Sequence, residues 1–135
     1  IRYVFYRNLN INEQIEISEQ LIDSNLLYQY WKMSKADRQH SYEVYSRTKK
    51  ISDNKDLLLL SLLHDIGKAK IDAGLLFRIF SDLGLIKNYK SKIYLNHEMI
   101  GLQILKDINA NENIIEYYNN NLLTQKNIIL DKTDY

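Results

Sequence analysis

His64 and Asp65 stand side by side in Leu62-Leu63-His64-Asp65-Ile66-Gly67-Lys68, directly after the apolar run Leu57-Leu58-Leu59-Leu60-Ser61-Leu62-Leu63. An imidazole and a carboxylate carried inward by such a run are costly to bury without a partner. Both are metal-ligand types, and nitrogen with carboxylate oxygen suits a borderline or hard divalent ion such as Mn, Fe, Co, Ni, Zn or Mg. The chain holds 3 histidines, His40, His64 and His97, and helical periodicity turns all of them inward. A single inward histidine is ordinarily a core residue satisfied by a carbonyl. Three in one small chain, with an acid beside one of them, are explained jointly by a buried metal site. Cysteine is absent, so thiolate ligands and disulfides are excluded and His, Asp and Glu remain as metal-binding side chains.

The elements that must position these residues are helical. Proline is absent and glycine occurs only at Gly67, Gly74, Gly84 and Gly101, so little interrupts a helix. Met33, Asp37, His40, Val44, Thr48 and Ile51 recur at three- and four-residue steps, which predicts a helix from about Ser34 into Lys49-Lys50 with that face inward. Asp53 or Asn54 can cap the next helix, apolar on all sides, which is expected to end near Gly67 as a left-handed C-terminal cap, with His64 and Asp65 in its last turn. A further helix is expected over Ala73 to Leu83, and another from His97, whose stripe is Ile100, Gly101, Ile104, Leu105 and Ile108. Two more, about Glu112 to Asn119 and Leu122 to Asp134, complete the count. The expectation is an all-α chain, a single compact bundle of about six to eight helices. One domain spans 1–135, with a helical lead-in over 1–30 and the metal-site core over 31–135.

The order His40, then His64-Asp65 inside Leu-Leu-His-Asp-Ile-Gly-Lys, then a late acid, resembles the HD-domain superfamily of metal-dependent phosphohydrolases. The flanking segments Met33-Ser34-Lys35-Ala36-Asp37-Arg38-Gln39-His40-Ser41 and Asn96-His97-Glu98-Met99-Ile100-Gly101 resemble its HDIG-type members, so the likeness runs from roughly residue 30 to 134. The resemblance implies one divalent metal ion held by His40, His64, Asp65 and Asp134, with Asp65 also orienting an activated water. Asp131 competes with Asp134 for the last place; Asp134 is preferred because Ile129-Leu130-Asp131-Lys132-Thr133-Asp134 resembles the family's final helix. Members with further metals carry a His-Glu segment, kept here as His97-Glu98, and then another histidine, where this chain reads Ile114-Ile115-Glu116-Tyr117-Tyr118-Asn119-Asn120. That departure argues against a fully ligated second metal.

Asp65, Lys68 and His97 are the candidate catalytic residues. Lys68 could offset phosphate charge, or simply complement a helix C-terminus. His97 could contact a phosphate, donate a proton to a leaving oxygen, or bond within the core. Arg78 is a second candidate phosphate clamp, and Asp37 and Arg38 either orient the site or pair locally. The function expected is a metal-dependent phosphohydrolase acting on a phosphomonoester or phosphodiester through a metal-activated water. The alternatives are a metal- or nucleotide-binding sensor with little turnover, and a purely structural module.

Composition bounds the partners. The formal charge of +1, from 18 basic and 17 acidic residues, leaves no footprint of a DNA, RNA or membrane binder. A phosphorylated small molecule, a nucleotide among the options, is the expected partner. No apolar run reaches membrane-spanning length and no signal-peptide pattern opens the chain, so a cytoplasmic location is expected. Oligomeric state is left open, with Leu26, Leu27, Tyr28, Tyr30 and Trp31 available either to the core or to an interface.

Overall fold

A computed structural model describes residues 8–68 and 97–135. The expected helix over Ala73 to Leu83, and Arg78 with it, lies outside the described residues. Within them the chain forms seven α-helices and no strand: α1 (Ile11–Gln20), α2 (Ser24–Lys32), α3 (Lys35–Ile51), α4 (Lys55–Leu63), α5 (His97–Asp107), α6 (Glu112–Tyr118) and α7 (Ile128–Thr133). A 3-10 turn, Ile66–Lys68, follows α4, and a π-helical turn, Asn119–Leu123, follows α6. The architecture is all-α, as expected.

Polar side chains set the helix starts. Asn10 and Glu13 form a reciprocal capping box on α1, Ser34 accepts from the Asp37 amide on α3, and Asn54 accepts from the amides of Asp56 and Leu57 on α4. Each satisfies amides that a helix cannot pair internally. Of the two caps considered for α4, Asn54 is the one used.

α3 is the central helix. His40, Ser41, Val44, Tyr45 and Thr48 are buried along it, while Ile51 at its end is exposed. The inward stripe therefore stops at Thr48, because Ile51 lies where the chain turns away through Ser52. α3 packs most extensively on α4 and also on α7, and α5 packs on the 3-10 turn. Leu57, Leu60, Leu62 and Leu63 of α4 are buried, as a helix apolar on every side requires. Each fully buried leucine contributes roughly 1.5–3 kcal/mol. α1 is tied to α3 through Glu16, which accepts from Tyr42 and Tyr45 and pairs with Lys49.

Of the residues left between core and interface, Leu26 and Tyr30 are fully buried, Leu27 and Trp31 pack against the core, and Tyr28 is exposed. Arg38 donates to the carbonyls of Trp31 and Met33 and lies over the Trp31 ring, fixing the α2–α3 corner; Asp37 bonds Ser34. These contacts belong to the corner of the fold, separate from the metal-ligand cluster.

Two boundaries differ from expectation. α4 ends at Leu63 with His64 as a right-handed cap residue, and the chain continues into the 3-10 turn. Gly67 sits inside that turn with φ outside the left-handed region, so it is no left-handed cap. A Cβ there would lie 1.7 Å from the His97 carbonyl oxygen and 2.8 Å from the Gly101 amide nitrogen. Glycine is present because two backbones meet. The last helix starts at Ile128, not Leu122. Apolar spacing carries across the break and no Gly or Pro marks it. What ends the run is Asn127, whose carboxamide oxygen accepts from the amides of Ile129 and Leu130 while its amino group donates to Asn121.

Candidate metal centre

Three helices converge on one point. His40 comes from the middle of α3, His64 and Asp65 from the end of α4, and Asp134 from the residue that caps α7. Because α3 packs on both α4 and α7, the side chains meet although 94 residues separate His40 from Asp134. His40, His64 and Asp65 are 4%, 3% and 2% exposed, and one donor atom from each lies within 4.8 Å of the others.

Asp134 completes the cluster. Its Oδ1 lies 2.7 Å from His40 Nε2 and 3.5 Å from His64 Nε2, while Asp65 Oδ2 lies 3.3 Å from His64 Nε2 and 3.9 Å from His40 Nε2. Asp131, the competing acid, is exposed. On the open side, His97 Nε2 is 3.1 Å from Asp65 Oδ1 and 3.4 Å from Glu98, and Lys68 Nζ is 3.4 Å from Asp65 Oδ2. His97 is only partly buried, its side chain 34% exposed, unlike the other two histidines. It stands at the edge of the cluster rather than in the core.

The residues fit a divalent ion on their own chemistry. His64 Nδ1 is 2.7 Å from the Ser61 carbonyl oxygen, to which it donates, so in the neutral ring the lone pair lies on Nε2. That Nε2 is buried, and among the described residues it faces two carboxylates without a hydrogen bond to either. A buried imidazole nitrogen and two carboxylates turned toward one point form a donor set that a single cation would satisfy together. Imidazole nitrogens and carboxylate oxygens are the donor set for the borderline and hard divalent ions.

Electrostatics follow from the same crowding. Burial disfavours a charged His64, but Asp134 and Asp65 outweigh this and raise its pKa to about 9. Burial pushes Asp65 and Asp134 up, yet His64 and His97 beside Asp65, and His40, His64 and Lys126 beside Asp134, hold both carboxyls well below the usual carboxylate range.

Two contributors were not legible in the residue types alone. Gly67 and Gly101 let the 3-10 turn and the first turn of α5 touch, which carries His97 to Asp65. Tyr118, fully buried, fills the space over Gly101, where a Cβ would lie 2.1 Å from its hydroxyl. The Tyr117-Tyr118 pair and the absence of Pro near Gly67 were the available signals, but neither says which surfaces meet.

Neither a curated protein nor a solved structure matches this chain. The family model described as HD domain matches residues 38–135, a span containing His40, His64, Asp65, His97 and Asp134. That family comprises metal-dependent hydrolases in general. With the match covering most of its length and a buried His/Asp cluster inside it, the chain belongs to the HD domain family.

Proposed function

We propose that this protein is a metal-dependent phosphohydrolase that cleaves a phosphomonoester or phosphodiester of a small molecule, a nucleotide among the candidates. The observation that carries this reading is the convergence of buried His40, His64 and Asp65 with the partly buried Asp134, and of Lys68 and His97 on Asp65. In this reading those four side chains hold one divalent ion. When bound, such an ion lowers the pKa of water to give a nucleophile at neutral pH and offsets charge on a phosphoryl oxygen.

The remaining work falls to the chain. Asp65 directs Oδ2 toward the histidines and Oδ1 toward His97, so one carboxylate links the buried cluster to its edge. His97 is placed to hold a proton for the leaving oxygen, and Lys68 to offset phosphate charge as a flexible point cation. A second ion beside His97 lacks a further imidazole among the described residues and plays no part in the proposal. α1 and α2 share the buried core through Ile17, Leu21, Leu26 and Tyr30, which supports reading 1–135 as one domain. No helix among the described residues is long and apolar enough to cross a membrane. We place the activity in the cytoplasm, with phosphorylated metabolites as the substrate class.

The test is a panel of nucleotides and simple phosphoesters with protein loaded with Mn or Co. Turnover by the native chain and its loss in Asp65→Ala, with helicity retained, is the expected result. Tight nucleotide binding without turnover would instead make the domain a sensor.

A further inference from the structure

Asp134 occupies an improbable place for a metal ligand. It follows a helix of only six residues, and its own backbone has left the helical region, at φ −89° and ψ 78°. So short a helix has little stability of its own. Its backbone N–H bonds the Leu130 carbonyl, and its Oδ1 sits 2.7 Å from His40 Nε2.

Two cations act around it, one on the flanking main chain and one on the carboxylate. Arg47 Nη1 donates to the main-chain oxygens of Thr133, at 3.0 Å, and Tyr135, at 2.9 Å, the two residues that flank Asp134. The same guanidinium stacks over the Tyr135 ring, 3.8 Å from its centroid, and reaches Glu43 at 3.4 Å. Lys126 Nζ holds the outer oxygen of Asp134, Oδ2, at 2.9 Å, leaving Oδ1 directed at the histidines. Beneath them, the Thr48 hydroxyl donates to that of Thr133 in a buried bond of 2.9 Å.

The placement of Arg47 has a geometric logic. It lies seven residues after His40 on α3, two helical turns along nearly the same face and about 10 Å away. One rigid helix thus carries both a candidate ligand and the group that grips the main chain on either side of another. A planar guanidinium can bond two acceptors and stack on a ring at once, which an ammonium cannot.

We propose that Arg47 and Lys126 are positioning residues for the metal centre, fixing the backbone and the outer oxygen of Asp134 so that its inner oxygen faces the ion. This rests on the reading of Asp134 as a ligand. The experiment titrates cobalt(II) into chelator-treated protein, following visible absorption, for the native chain and for Arg47→Met, Arg47→Lys, Lys126→Met and Lys126→Arg. Urea unfolding of the metal-free proteins runs beside it. Arg47→Met and Lys126→Met are each expected to weaken cobalt affinity by about 10- to 100-fold and to change the visible band, as supporting contacts to ligands typically do. Lys126→Arg restores the native affinity, and Arg47→Lys does not. Affinities within twofold of native for both methionine variants, whatever their unfolding curves, would overturn the proposal. Should Arg47→Met fail to fold, Lys126→Met decides, since that side chain is half-exposed on a loop. A native chain that takes up no cobalt overturns this inference together with the metal-centre reading; uptake with indifferent variants overturns this inference alone.

Discussion

Replacing Gly67 separates two reasons for a glycine at the end of α4. Were the residue a left-handed cap, Asn would be tolerated better than Ala. The structure gives the opposite order. A Cβ at Gly67 would lie 1.7 Å from the His97 carbonyl oxygen, 2.7 Å from its carbonyl carbon and 2.8 Å from the Gly101 nitrogen, all main-chain atoms that no rotamer change can move. The first distance is about 1.6–1.9 Å short of an ordinary carbon–oxygen contact. Overpacking costs typically about 1–3 kcal/mol where side chains can adjust. With backbone on both sides, Gly67→Ala should cost about 3 kcal/mol, a large part of the roughly 5–15 kcal/mol that holds most domains folded. Gly67→Asn should cost more, because its larger side chain enters the same contact. Relief by backing α5 away would lengthen the 3.1 Å approach of His97 to Asp65, so any activity retained should fall with stability. Urea denaturation of both variants, beside turnover, reads these effects. Gly67→Asn as stable as Gly67→Ala, or either within about 0.5 kcal/mol of native, would refute the close-approach reasoning.

Other consequences follow from particular atoms. Tyr118 carries a buried hydroxyl with no hydrogen-bond partner among the described residues, so Tyr118→Phe should leave stability unchanged or raise it by about 1 kcal/mol; a loss of that size in urea would reveal a partner. Thr48→Val removes the buried bond to Thr133 and should cost about 1–2 kcal/mol by the same measurement, while an unchanged midpoint would mean the hydroxyl pair is neutral. Metal binding should release protons. His64, with its pKa raised to about 9, is protonated at pH 7 in the metal-free protein, so apparent affinity should climb roughly tenfold per pH unit up to about 9, and calorimetry in buffers of different ionisation enthalpy should find about one proton released. Affinity flat from pH 6 to 8 would contradict this. The sign for metal-free stability is also fixed. The raised His64 stabilises below its ordinary 6.5 and that contribution is lost as pH rises through about 9. The depressed Asp65 and Asp134 stabilise above their ordinary 3.8 and lose it on acidification. Melting of chelator-treated protein across pH should therefore decline on both sides.

Much of the candidate site was readable from helical spacing, because a residue's face is a local property. His40 with Val44 and Thr48, and His64-Asp65 after an apolar helix, follow directly from three- and four-residue steps and from the cost of burial. The all-α character likewise follows from the absence of proline and the helical caps. What spacing could not supply is how backbones meet. Gly67 looks like a cap by type but is required by a contact with His97 and Gly101, residues distant in sequence. The break before Ile128 was hidden because apolar periodicity runs through it and the signal, Asn127, is a polar residue in an Asn-rich stretch. Arg47 and Lys126 were equally silent, since an Arg on a helix and a Lys on a loop are ordinarily solvated; only the position of Asp134 gives them a task.

The most direct test of the account is anomalous diffraction from crystals of the native chain grown with manganese or cobalt. The account predicts one strong peak per chain, about 2.0–2.2 Å from His40 Nε2, His64 Nε2 and carboxylate oxygens of Asp65 and Asp134. No peak inside that cluster, or a peak held by other residues while His64 Nε2 stays unligated, would contradict it.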